Sequence, residues 1–167
     1  MDPPNDELAL VRDALYGRDR KYVGCFAFNK ASERVQQKGA MIFPTVERVL
    51  HEEVMPCYPS DPKAQVEQFP GVGNLLVGYF RVVKDGQMER GAGFLSSLSG
   101  PVMAEAIRAI NIVWDHTIPD SFLSTIEAAA RTGSPELQEL ASWLLDWHHQ
   151  RPRREKELAA SRKETDL

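Results

Sequence analysis

Ser99-Gly100-Pro101-Val102-Met103-Ala104-Glu105-Ala106-Ile107-Arg108-Ala109-Ile110-Asn111-Ile112-Val113-Trp114 is the stretch on which the reading of the fold turns. Its glycine can stop a preceding helix, and its proline suits the first turn of the next, where a missing N–H costs nothing. Met103, Ala106, Ile107, Ile110, Val113 and Trp114 then recur at helical spacing. A helix with so apolar a stripe must bury it against neighbours, and the flanking sequence supplies them. Downstream, Ile118-Pro119-Asp120 opens a helix through Phe122, Leu123, Ile126 and Ala130 that ends at Thr132-Gly133. Ser134-Pro135 starts another, with Leu137, Leu140, Ala141, Leu144 and Trp147 on one side. Ser134 is placed to cap it and Glu136 to meet the positive end of its dipole.

Upstream the same punctuation repeats. Val72, Leu75, Leu76, Tyr79 and Val83 form a stripe that ends in Asp85-Gly86. Met88 to Leu98 is a weaker helix, since Gly91 and Gly93 each cost about 1 kcal/mol relative to alanine in a helix interior. Nearer the start, a helix from Asp6 to Tyr16 carries Leu8, Val11 and Leu15, with Gly17 as its left-handed cap. A second, from Arg20 to Gln37, shows Val23, Phe26, Ala27, Ala31 and Val35, and Gly39 closes it. A third, from Met41 to Val54, has Pro44 in its first turn and Ile42, Val46, Val49, Leu50 and Val54 as its stripe.

Met55 to Pro70 differs, because Pro56, Pro59, Pro62 and Pro70 remove the backbone donors a helix needs. It is expected to be a surface loop that caps the helices, with room for one helical turn at Lys63 to Gln68. Val66 and Phe69 would pin its far end. No segment alternates with period two between hairpin turns, so no strand is expected. The fold class is therefore all-α, helix packed on helix, with residues 1–150 as a single domain interrupted by the 55–70 loop. Residues 151–167 lose the apolar stripe and mix both charges, as in a charged tail that frays or extends the last helix into solvent.

A chain of 167 residues, 43% hydrophobic and 26% charged, has the size and composition of one globular domain. No apolar run approaches the roughly 20 residues of a membrane span, and the Met-Asp-Pro-Pro-Asn-Asp-Glu start is acidic where a secretory leader is basic. A cytoplasmic location and no membrane association are expected. The net charge of −4 argues against general affinity for nucleic acid, which needs a basic face. Cys25 and Cys57 stand outside any CxxC or Cys/His cluster and read as plain thiols, with a disulfide between them the less favoured state.

Gly39-Ala40-Met41-Ile42-Phe43-Pro44-Thr45-Val46-Glu47-Arg48-Val49-Leu50 and Gly100-Pro101-Val102-Met103-Ala104-Glu105-Ala106-Ile107-Arg108-Ala109-Ile110 are alike in kind. Each is a glycine, an early proline and an apolar stripe bearing glutamate and arginine, and each follows another expected helix. They resemble the second helices of HEAT-like repeats, an α-solenoid family of stacked antiparallel helical hairpins. The two stretches begin 61 residues apart, against roughly 40–47 for a HEAT unit. Either the proline-rich segment is an insertion or the chain is a globular helical bundle. The resemblance implies a scaffold that binds partners along the inner helices of its curve, and it transfers no catalytic residue.

If both helices line such a curve, Glu47, Arg48, His51, Glu52, Glu105 and Arg108 face one way as a mixed-charge binding ridge. The ordinary alternative is solvated surface pairs worth a few tenths of a kcal/mol. Trp143 sits at the flank of its helix, beside Glu139 and Asp146, and is a candidate binding anchor. Tyr22 and Phe28 invite the same reading. Trp114 and Trp147 lie within apolar stripes and read as core.

Trp114-Asp115-His116 and Trp147-His148-His149 place histidines at helix ends. Adjacent helical residues diverge by about 100°, so His148 and His149 do not share a metal easily, and no metal or other cofactor is expected. Pro70-Gly71-Val72-Gly73-Asn74 lacks the full glycine spacing and lysine of a phosphate loop and reads as a tight turn into a helix. Ser96, Ser97 and Ser99 lack a nucleophile elbow. The expected function is a non-enzymatic protein-binding module acting as adaptor, regulator or toxin neutraliser. The competing class is a HEAT-like enzyme on nucleic acid or a small molecule, using Trp143 with Asp146 or Asp115 with His116.

Overall fold

The computed structural model describes residues 5–17, 20–23 and 26–165. Their helices are α1 (Asn5–Tyr16), α2 (Lys30–Lys38), α3 (Phe43–Val49), α4 (Pro62–Gln68), α5 (Val72–Lys84), α6 (Met88–Ser96), α7 (Gly100–Trp114), α8 (Asp120–Thr132) and α9 (Pro135–Thr165). A 3-10 turn, Gly39–Ile42, leads into α3, and a π turn, Leu50–Val54, leads out of it. The helix expected over Met41 to Val54 is thus helical throughout but changes pitch. In its last turn the Met55 N–H reaches back five residues to the Leu50 carbonyl, at 2.8 Å.

One expectation fails outright. Residues expected to continue a helix from Arg20 form an antiparallel ribbon, β1 (Arg20–Val23) on β2 (Phe26–Asn29), with Val23 opposite Phe26 and Lys21 opposite Phe28. The chain therefore has strands, and the second helix starts only at Lys30. Tyr22, Val23, Phe26 and Phe28 are β-branched or aromatic, types that favour a pleated surface. Cys25 and the side chains of Tyr22 and Phe28 lie outside the described residues.

α5 is the middle of the packing. It lies against α1 and α2 on one side and α6 and α7 on the other, while α7 and α8 both pack on α9, and α6 packs on α8. A single core joins these elements. Its rings form a chain: Phe43 of α3 to Tyr79 of α5 at 4.4 Å, Tyr79 to Phe94 of α6 at 4.6 Å, and Phe80 to Phe122 of α8 at 5.8 Å. Two glycines make this closeness possible. A Cβ on Gly71 would stand 1.7 Å from the Ala14 carbonyl oxygen, and one on Gly91 would stand 2.4 Å from a Val83 methyl. Gly91, which weakened the expectation for α6, is thus the residue that lets α6 approach α5.

The proline-rich segment is more integrated than a capping loop. Pro62 to Gln68 is helical, with the Asp61 carboxylate accepting the Ala64 N–H at 3.2 Å. Tyr58 and Phe69 are buried in the core, their rings 5.7 Å apart, whereas Val66 points to solvent and pins nothing. At the other end, Ser134 caps α9 through the Leu137 N–H at 3.3 Å. α9 then runs past Gln150 and through Pro152 as an exposed helical extension. Arg151 to Glu155 at 2.9 Å and Arg153 to Glu157 at 3.2 Å support it one turn apart. Among the described residues no helix is long and apolar enough to cross a membrane.

Candidate functional site

Of the residues expected to bind, Glu47 and His51 reach across a seam between the α3–π segment and the segment from α6 to the start of α7, Arg48 and Glu52 pair beside it, and Glu105 and Arg108 lie on α7. Contacts across it rise together in number: Glu47 meets Arg90, His51 meets Phe94 and Ser97, and Met55 meets Ser99. The two segments therefore run in the same direction. Glu47, 18% exposed, accepts from both arms of Arg90 at 2.9 and 3.1 Å and from the Tyr79 hydroxyl at 3.2 Å. Arg90 in turn lies over the Phe43 ring. Burial, and then the Glu47 charge, push the Tyr79 hydroxyl far above the ordinary tyrosine range, while the hydrogen bonds to Glu47 raise Arg90.

Farther along, Glu105, 17% exposed, pairs with Arg108 at 3.1 Å and lies near the Tyr58 hydroxyl, which burial and then the Glu105 charge raise. Arg48 pairs with Glu52 one turn on, at 3.1 Å. The His51 Nε2 lies 2.6 Å from the Ser97 hydroxyl, which itself donates to the Phe94 carbonyl. Among the described residues no carboxylate is bonded to the His51 ring to orient it as a base, so the contact joins the π turn to the end of α6. Glu47 and Glu105 sit on different flanks of α5, since Glu47 touches Tyr79 and Glu105 approaches Gly73, six residues and about 9 Å earlier.

Trp143 belongs to a second cluster at the corner where α7 meets α9. α7 ends in two consecutive left-handed residues, Asp115 at φ 48° and His116 at φ 61°. Such a conformation costs about 1–3 kcal/mol for a residue with a Cβ, and aspartate and histidine are among the types that tolerate it best. The turn is tied back by the Asp115 N–H on the Asn111 carbonyl. It carries the His116 ring onto Trp147, stacked at 4.7 Å and 23°, and edge-on to Trp143 at 5.7 Å.

On Trp147 the Arg154 guanidinium lies 3.5 Å from the ring centroid. Two planar groups that close cannot share one face, so the indole is sandwiched between His116 and Arg154. Trp147 is thus a half-buried surface ring and not the core residue its stripe suggested, while Trp114 does pack on Phe80 and Phe122. Asp115 and His116 on one side, and Trp147, Arg151, Arg154, Glu155 and Leu158 of α9 on the other, line a cavity of about 190 Å³. His116 Nδ1, and Asn111 Oδ1 in the last turn of α7, are buried without a hydrogen-bond partner among the described residues. His148 accepts the Ile118 N–H on Nδ1 at 3.0 Å.

Sequence reasoning missed two residues. Arg90 lies 43 positions from its glutamate, and nothing local announces the pair. Arg154 falls beyond Gln150, where the last helix was expected to lose its stripe. Its spacing of seven from Trp147, two turns on one face, was the available signal. Among the described residues no three His, Cys, Asp or Glu side chains gather as a metal would require. No protein-family model, curated protein or solved structure matches this chain.

Proposed function

We propose that this chain is a non-enzymatic interaction module of helical-repeat type, a short HEAT-like stack that binds another protein. Alternate helices touch as the rows of a solenoid do: α2, α5, α7 and α9 form one succession, and α6 and α8 part of a second. Of the seven residues expected to bind, Glu47, Glu105, His51 and Glu52 already serve internal contacts. Arg48 and Arg108 remain half exposed, each at 53%, and Trp143 at 42%. Trp143 carries the reading. It is unburied, yet two rings fix its edge, and rigid tryptophans of this kind dominate binding hot spots.

Adaptor, regulator and toxin neutraliser would all use such a surface. The test is the affinity for a partner recovered from the native host. Trp143→Ala should weaken it by about 30-fold, equivalent to some 2 kcal/mol. Reversal of Arg48 and Arg108 to glutamate should weaken it less, as befits a rim. Binding indifferent to Trp143→Ala would remove this reading.

A further inference from the structure

We infer that the cavity between the α7–α8 turn and the outer part of α9 binds a single α-amino acid as its zwitterion. Arg154 would hold the carboxylate, Asp115 the ammonium, and Leu158 and the edge of Trp147 the apolar side chain. This does not rest on the protein-binding reading, whose anchor, Trp143, does not line the cavity.

The charges select the ligand. Four charged side chains face the space, but Arg151 and Glu155 neutralise one another at 2.9 Å. Among the described residues Arg154 has no carboxylate partner and Asp115 has no cation. A ligand with a single charge gains one of these groups and is repelled by the other. A ligand with both charges gains both, and a peptide terminus, which carries only one, does not.

The two groups are held ready. Stacking on Trp147 uses the flat face of the guanidinium and leaves its in-plane N–H donors free for a carboxylate, which they match as a fork. The backbone of Asp115 is fixed by its left-handed conformation and by the hydrogen bond of its own N–H, and its carboxylate is left free for a cation. The unpartnered His116 Nδ1 and Asn111 Oδ1 lie at the same corner, and unpaired buried polar atoms in native proteins gather where function needs them. Size agrees: about 150 Å³ of apolar cavity accepts benzene, so about 190 Å³, open to solvent on one side, has room for one amino acid with a ring or branched chain. Both faces of the indole are covered, so the side chain meets its edge and Leu158, which is otherwise exposed.

Titration calorimetry on the full chain, with NMR of the tryptophan indole N–H groups, tests this with L-phenylalanine and L-leucine. Two truncated probes accompany them: 3-phenylpropionate, which lacks the ammonium, and 2-phenylethylamine, which lacks the carboxylate. At least one amino acid should bind, and each truncated probe should bind roughly tenfold or more weakly than phenylalanine. Arg154→Gln should cost the amino acid a similar factor and leave 2-phenylethylamine unchanged. Asp115→Asn, which tolerates the same backbone, should cost the amino acid and leave 3-phenylpropionate unchanged or tighter. Absence of binding by both amino acids, binding of 3-phenylpropionate as tight as that of phenylalanine, or indifference to Arg154→Gln would each overturn the assignment.

Discussion

The seam between α3 and α6 and the corner between α7 and α9 are built from the same residue types, and they treat them differently. At the seam and on the helices beside it these arginines have found carboxylates: Arg90 on Glu47, Arg48 on Glu52, Arg108 on Glu105. At the corner Arg154 lies on an indole, Asp115 pairs with no cation among the described residues, and two residues sit in a backbone conformation that disfavours side chains. A pair already closed inside the molecule must be opened before either member can bind anything else. The seam therefore contributes stability, and the corner keeps unpaired groups that a ligand can complete. That contrast can be broken by substitutions whose effects on stability have opposite signs.

The largest effect belongs to Glu47. Glu47→Ala strips Arg90 of both its acceptors and leaves the Tyr79 hydroxyl, on a buried ring, with nothing to donate to. A loss of about 2 kcal/mol is expected, from one orphaned buried hydroxyl and one partly exposed ion pair. Glu47→Gln keeps an acceptor for Tyr79 and should lose about half as much. Urea denaturation midpoints of the three proteins decide it. If Glu47→Ala unfolds with the wild type, the seam is ordinary surface pairing and the contrast with the corner disappears.

At the corner the sign should reverse. Asp115→Gly relieves a φ of 48° that glycine adopts freely, and the relief exceeds glycine's extra entropy in the unfolded chain by about 0.5–1 kcal/mol. Asp115→Ala, which keeps the Cβ, should gain nothing. A stabilised glycine variant whose affinity for the cavity ligand has fallen would show that strain and binding are held in the same residue. A destabilised one would mean the turn is not strained.

How far these regions were legible in the sequence follows from the range of the forces involved. α7, α8 and the start of α9 were readable because glycine, proline and serine act on the backbone within a turn of where they stand. The Gly17 cap of α1, left-handed at φ 65°, was readable for the same reason. The β1–β2 ribbon was not, since Val23, Phe26, Ala27 and Ala31 satisfy helical spacing while Tyr22, Val23, Phe26 and Phe28 satisfy β-propensity. Over ten residues the two patterns do not separate. Glu105 with Arg108 was visible as neighbours one turn apart, but Glu47 with Arg90 exists only through the tertiary fold. The charged tail beyond Gln150 was expected to fray or to extend the last helix, and it extends it: Pro152 removes one hydrogen bond, and the ion pairs around it accompany a helix that carries on. The cavity depends on that continuation and also on the turn after α7 that brings Asp115 and His116 to it, a tertiary meeting no local pattern announces.

The smallest effect sharpens the contrast from within the corner, where His148 is a polar side chain that does have a partner. A backbone N–H can only donate, so the Ile118 contact requires an unprotonated Nδ1 and hence a neutral ring. The fold holds His148 below the usual histidine range, chiefly by burial and then by the charges of His149 and Arg151, with Asp120 pulling the other way. The sign follows. Above about pH 6.5 the ring is neutral in both the folded and unfolded chains, and the contribution to stability is flat. As pH falls below that value the unfolded chain takes up the proton first, so stability drops until the folded ring also protonates. The ring is half-exposed and its charge is screened, so the drop should stay below about 1 kcal/mol. His148→Asn places an amide oxygen where Nδ1 was and cannot titrate. Its stability at pH 7.5 should match the wild type, and its urea midpoint should fall less on acidification from pH 6.5 to 5. Because His51, His116 and His149 remain in both proteins, the difference between the two curves isolates His148. Parallel curves would mean that His148 is protonated as readily in the folded chain as in the unfolded one, and that the Ile118 hydrogen bond does not hold the turn.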